Sequence, residues 1–159
     1  MNFKKKGIFS RSVRSEEPAA EEVLQGGILA VWGSPSSGKT VTAVKIAKYL
    51  ADKKKNVVLL LCDMTAPMLP CICPPSEIES EHSLGSVLAA THVTEPLIKH
   101  NLVTLKKNSY LTILGMKKGE NEYTYPPYSE VQAKELLCEL RRIAPFIVVD
   151  CSSYIANDI

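Results

Sequence analysis

Gly33-Ser34-Pro35-Ser36-Ser37-Gly38-Lys39-Thr40 follows the pattern G-x-x-x-x-G-K-[ST] at every fixed position. Just before it, Ile28-Leu29-Ala30-Val31-Trp32 is a short apolar run with Gly26-Gly27 on its amino side. The spacing reads residues 27–32 as a buried parallel strand. Just after it, Ala43, Val44, Ala47, Leu50 and Ala51 recur at intervals of three and four, with Lys45, Lys48 and Lys53 on the opposite side. That period predicts an amphipathic helix over residues 40–50, ended by Lys53-Lys54-Lys55-Asn56. Residues 57–62 supply a second apolar strand. The unit is therefore strand, loop, helix, strand, and a right-handed crossover is expected.

A phosphate group needs backbone N–H groups free of crowding side chains, together with positive potential. The glycines and small serines let such a loop wrap the β- and γ-phosphates, and the amino end of the following helix adds its dipole. Lys39 is expected to reach the β/γ oxygens as a point charge, and the Thr40 hydroxyl to hold Mg²⁺. The expected nucleotide contacts are Gly33, Ser34, Pro35, Ser36, Ser37, Gly38, Lys39, Thr40 and the adjoining Val41.

Two carboxylates complete the expected site. Phe146-Ile147-Val148-Val149 reads as a strand that ends in Asp150, placed to bind Mg²⁺ beside Thr40. Asp63 closes the strand at 57–62, where a carboxylate faces the crevice at the carboxyl ends of the strands and can position the attacking water. The plainer reading of both is an aspartate that favours a turn.

Elsewhere, Pro67, Pro70, Pro74 and Pro75 mark residues 65–80 as an irregular connection. Residues 83–91 and 95–100 read as short helices, 110–116 as a strand and 102–105 as an accessory strand. Tyr123, Tyr125 and Tyr128 lie in a Pro-containing turn, read as surface structure with phosphorylation or partner contact as alternatives. Ser129 with Gln132 three residues on reads as a capping box, opening a helix with a buried stripe of Ala133, Leu136, Leu137, Leu140 and Ala144. Strands alternating with helices predict a three-layer α/β domain with a mostly parallel sheet.

Composition agrees with a folded domain of ordinary size. At 159 residues, 45% apolar and 23% charged, the chain is not collagenous, mucin-like or wholly disordered. A net charge of +2 gives no strong nucleic-acid signal from bulk electrostatics. Residues 1–25 divide into a basic half and an acidic half and read as a flexible charged leader before a domain over 26–159, with membrane or partner contact as the leader's alternative role. The start lacks a secretory signal, so a cytoplasmic protein is expected, with peripheral membrane contact through the leader as a variant. The cysteines number five, an odd count; Cys62, Cys138 and Cys151 sit in apolar runs and read as small hydrophobes. Cys71 and Cys73 with His82 lack zinc-site spacing. Trp32 is expected to pack beneath the 33–40 loop.

With the loop, Asp63 and Asp150 in place, the chain resembles the ParA/MinD family of P-loop ATPases, of the SIMIBI class, and within it the TadZ/CpaE-like pilus-assembly and localisation branch. The order Val31-Trp32-Gly33-Ser34-Pro35-Ser36-Ser37-Gly38-Lys39-Thr40, then Asn56-Val57-Val58-Leu59-Leu60-Leu61-Cys62-Asp63, then Phe146-Ile147-Val148-Val149-Asp150-Cys151 carries the likeness. The resemblance implies a P-loop NTPase fold, ATP and Mg²⁺ as ligands, and a nucleotide-dependent homodimer. It also implies a switch that positions or assembles a cellular structure through a protein partner at a polar or membrane-associated site. Three departures accompany it. Ser34 stands where such proteins carry a second lysine that reaches across the dimer, Asp63 stands alone where they often carry D-x-D, and nine residues follow Asp150, so an incomplete amino-terminal portion is expected. Slow ATP hydrolysis is the first expectation. A nucleotide-binding scaffold with negligible turnover is the second, and a tyrosine-kinase-like protein a third.

Overall fold

The protein is described from a computed structural model covering residues 26–153; the expected leader at 1–25 and the end of the domain expected over 26–159 lie outside the described residues. The strands are β1 (Gly27–Val31), β2 (Val57–Leu61), β3 (Val103–Thr104), β4 (Leu111–Leu114) and β5 (Phe146–Asp150). The helices are α1 (Lys39–Asp52), α2 (Leu69–Ile72), α3 (Leu84–Leu88), α4 (Glu95–Asn101) and α5 (Glu130–Ile143). The five strands form one sheet in the order β1-β5-β2-β4-β3. All neighbours run parallel except β3 and β4, which are antiparallel. This is an α/β fold with a mostly parallel sheet flanked by helices.

Alternation along the strands divides the core in two. Val57, Leu59, Leu61, Phe146 and Val148 pack with Ala43, Ala47 and Ala51 of α1 on one face. Val58, Leu60, Ile147 and Val149 pack with Leu84, Ile98, Leu136 and Leu140 on the other. β2 and β5 are buried along their whole length, which is what continuous apolar runs require when helices cover both faces. The small alanines of α1 let that helix approach the sheet closely.

The capping box of α5 is present: Ser129 N–H donates to Gln132 Oε1 at 2.6 Å, and Gln132 N–H to Ser129 Oγ at 3.4 Å. Gln132 Nε2 also donates to the carbonyls of Leu88 and Ala90, at 2.9 and 2.7 Å, tying α5 to the end of α3.

Several sequence expectations are corrected. β1 is not buried among the described residues: it lies at the edge of their sheet, Ile28 is 42% and Leu29 47% exposed, and Val44 and Leu50 on the neighbouring flank of α1 are only half-buried. Trp32 is 70% exposed rather than packed beneath the loop. Cys138 is exposed because it falls off the α5 stripe, whereas Cys73 is buried. The 65–80 connection holds two short helical turns, α2 and a 3-10 turn at Pro75–Glu77, and each takes a proline in its first turn, where the missing N–H costs nothing.

The tyrosine segment closes onto α3. Tyr125 O–H donates to Glu120 Oε1 at 2.6 Å, the Ser83 hydroxyl donates to Glu120 Oε2, and Lys117 adds its backbone N–H and an ion pair, each at 3.3 Å. A Cβ at Gly85 would lie 2.3 Å from the Tyr125 ring, so the ring rests directly on that glycine. Burial pushes the Glu120 carboxyl up, but the hydrogen bonds from Ser83, Tyr125 and Lys117 outweigh it and hold it below its ordinary value. Its contribution to stability is thus complete above the unfolded value and is lost as pH falls. Tyr125→Phe is expected to lower stability by about 1 kcal/mol, measured by urea unfolding at neutral pH, and by less in acid, where Glu120 is protonated.

Candidate functional site

The register of the sheet brings three chain positions together. Val31, Asp150 and Leu61 are lateral neighbours at the carboxyl ends of β1, β5 and β2. The ladder runs one step further, with Cys151 N–H donating to Val31 O and Cys62 N–H to Asp150 O, both at 3.0 Å. The 33–40 loop begins just beyond Val31 and Asp63 lies just beyond Cys62, so loop and both carboxylates occupy one end of the sheet.

Local geometry explains the residue types of the loop. Gly38, with φ of 83°, sits in the left-handed region directly before α1, where a side chain is strained. At Gly33 a Cβ would lie 2.7 Å from Ser37 Oγ. Ser36 also has positive φ, 62°, and Ser37 N–H donates to Ser34 O at 3.2 Å, closing the turn. The loop turns its residues 34–38 outward, while Lys39 and Thr40 are half-buried. No side chain caps the amino end of α1 and its first turn holds no acidic residue. Its first N–H groups therefore keep their dipole available to an anion.

Asp150 is 1% exposed, and neither carboxylate oxygen has a hydrogen-bond partner among the described residues. Alternation from Phe146 and Val148 directs it to the α1 face, toward Thr40. Burial pushes its carboxyl above the ordinary value; the Thr40 hydroxyl and the Lys39 ammonium pull it back, and the Asp63 charge adds to the rise. Thr40 exerts that pull without completing a hydrogen bond. A buried carboxylate without a donor beside a hydroxyl is a fit for a hard cation, which takes oxygen ligands. Among the described residues no group of three His, Cys, Asp or Glu side chains could hold a metal. A cation at this place would thus need oxygens from a ligand as well as from Thr40 and Asp150.

Lys39 Nζ donates to Ser153 Oγ at 2.6 Å, across 114 positions of sequence. Sequence reading missed Ser153, because nothing in its local pattern sets it apart from Ser152. Asp63 is half-buried, and its Oδ1 accepts from Thr65 N–H at 3.0 Å and Ala66 N–H at 2.9 Å. The carboxylate holds a turn, as the plainer reading had it, while its charge still reaches Asp150. Ser34 is exposed, and so is Val41.

Sequence reading also missed a cavity of about 660 Å³ at the same end of the sheet, lined by Met64, Thr65, Met116, Tyr125, Tyr128 and Ser152 among others. It lies where β2, β4 and β5 end, so its walls come from segments that no local motif joins. The Cys71, Cys73 and His82 group does not assemble: Cys71 is exposed, burial pushes the Cys73 thiol up to about 11, and His82 Nδ1 accepts from Glu79 N–H at 3.1 Å. His92 and His100 sit at the surface beside Glu135 and Glu81.

No helix among the described residues is long and apolar enough to cross a membrane. Comparison with protein-family models gives no match, and no curated protein matches the chain.

Proposed function

We propose that the chain binds ATP with Mg²⁺ on the 33–40 loop and hydrolyses it slowly, as a nucleotide-dependent switch of ParA/MinD type that positions or assembles a cellular structure. The observation that carries the reading is Asp150: a buried carboxylate without a hydrogen-bond partner among the described residues, on the Thr40 side of the sheet, next to a loop whose residues 34–38 face outward before the uncapped amino end of α1. Lys39 would exchange Ser153 for phosphate oxygens. Thr40 and Asp150 would hold Mg²⁺, which when bound offsets charge on the β- and γ-phosphates. Asp63, whose charge is felt at Asp150 and whose Oδ1 holds the turn, would orient the attacking water with its other carboxylate oxygen.

A second reading has a specific observation in its favour. Ser34 supplies no cation across a dimer, and Asp63 already spends Oδ1 on a turn, so a nucleotide-binding scaffold with negligible turnover fits the same geometry. Titration calorimetry with ATP and ADP, with and without Mg²⁺, with phosphate release followed in the same samples, tests both. Mg²⁺-dependent ATP binding with slow phosphate release is the expected result. Binding without phosphate assigns the scaffold, and no binding to folded protein removes both readings.

A further inference from the structure

The end of the sheet opposite the 33–40 loop carries its own electrostatic feature. β2 and β4 run parallel, so the segments that lead into them, residues 53–56 and 105–110, lie together at the amino ends of the strands. Asn108 Nδ2 donates to Asp52 Oδ1 at 3.0 Å and Val57 N–H to Tyr110 O at 2.9 Å, which fastens the two segments side by side. They carry Lys53, Lys54, Lys55, Lys106 and Lys107, of which all but the half-buried Lys55 are exposed. None of these lysines pairs with a carboxylate among the described residues. Lys54, with φ of 59°, holds a left-handed backbone conformation at the end of α1, as the turn there requires. Against the lysines stand Asp52, engaged with Asn108, and Glu77, whose Oε2 accepts from Lys106 N–H at 3.4 Å. Arg141, in the last turn of α5, ends at the same end of the sheet, and the neighbouring Arg142 is paired with Glu139.

Tyr49 and Tyr110 edge this patch, 61% and 38% exposed, and the Lys53 ammonium lies 5.8 Å from the centroid of the Tyr49 ring. A concentration of lysines without a carboxylate partner among the described residues, on a chain of net charge +2, is a local field that bulk charge conceals.

We propose that this lysine face is a docking surface for an anionic lipid membrane. The two segments hold lysine and no arginine, hence compact, well-hydrated charges suited to a diffuse anionic surface rather than to bidentate reading of phosphates or bases. Half-exposed tyrosines belong at a headgroup interface, where an apolar ring and a polar hydroxyl are both accommodated. Docked this way, the domain directs the 33–40 loop away from the lipid, leaving it open to solvent. Docking on this face needs no nucleotide.

Sedimentation of the whole chain with vesicles tests the assignment, comparing pure phosphatidylcholine with vesicles holding about 30 mol% phosphatidylserine at about 0.1 M salt. Binding to the anionic vesicles alone is expected, weakening as salt rises. Lys54→Glu, Lys106→Glu and Lys107→Glu together should reduce it roughly 100-fold, and the corresponding glutamine set by less. Urea unfolding of each variant identifies any loss that is merely loss of fold, and the glutamine set then carries the comparison. Absence of binding to anionic vesicles overturns the proposal, as does binding that the folded variants retain in full, which would place the contact in the leader. A duplex DNA held more tightly than the vesicles at the same salt, and released by the same substitutions, would reassign the face to nucleic acid.

Discussion

Lys39→Ala is expected to weaken ATP binding by roughly 30-fold to several thousand-fold, the consequence of losing about 2–5 kcal/mol when a charge-assisted contact to phosphate is removed from a half-buried site. The fold should hardly register the change. The hydrogen bond that Lys39 makes among the described residues is to Ser153 Oγ at 2.6 Å, a link worth about 1 kcal/mol net. Calorimetric titration beside a urea unfolding curve separates the two effects. An affinity for ATP that survives in Lys39→Ala would put the nucleotide elsewhere and end the phosphate-loop reading.

Asp150→Asn should act in two directions. At neutral pH it removes a buried charge that burial penalises more than Lys39 and Thr40 favour it, while keeping the shape of the side chain, and is expected to raise stability by about 1–3 kcal/mol in the absence of Mg²⁺. The same substitution should abolish the dependence of nucleotide binding on Mg²⁺. Its pH signature is specific. Because burial raises the folded carboxyl above its ordinary value of 3.8, the folded state holds the proton longer than the unfolded chain does. Stability of the original protein should therefore fall as pH rises from about 3.8 through the folded pKa, and Asp150→Asn should flatten that slope. Unfolding curves across pH, with and without Mg²⁺ and ATP, measure it. A destabilised Asp150→Asn protein in metal-free buffer would show that the carboxylate has a donor after all.

Much of this geometry is legible in the order of the amino acids, because it depends on local period and on loop chemistry. The apolar runs at 57–62 and 146–149 are buried strands, the Ser129 and Gln132 pair caps α5, and the 33–40 loop sits between strand and helix as its pattern requires. Alternation along β5 also determines the face on which Asp150 lies. Lateral order is not legible. An apolar run of five looks alike in the middle of a sheet and at its margin, so Ile28 and Leu29 read as core although β1 meets only β5 among the described strands. Partners far apart in sequence are equally hidden: Lys39 with Ser153, Asn108 with Asp52, and the cavity walled by Met64, Tyr125 and Ser152. Asp63 shows a third limit, since a strand-end carboxylate has the same sequence signature whether it serves a turn, a water or both.

The position of β1 bears on dynamics. Among the described residues, the strand that delivers the 33–40 loop is held by one neighbouring strand and by the flank of α1, so releasing it disrupts fewer contacts than releasing β2 or β5. Its amides should exchange with deuterium through a partial opening that leaves the central sheet intact, at a free energy below that of global unfolding. Whatever binds the loop must hold this segment closed, and by linkage its binding energy appears as slowed exchange at Ile28 to Val31. The order of a marginal strand thereby becomes a readout of whether the loop is filled.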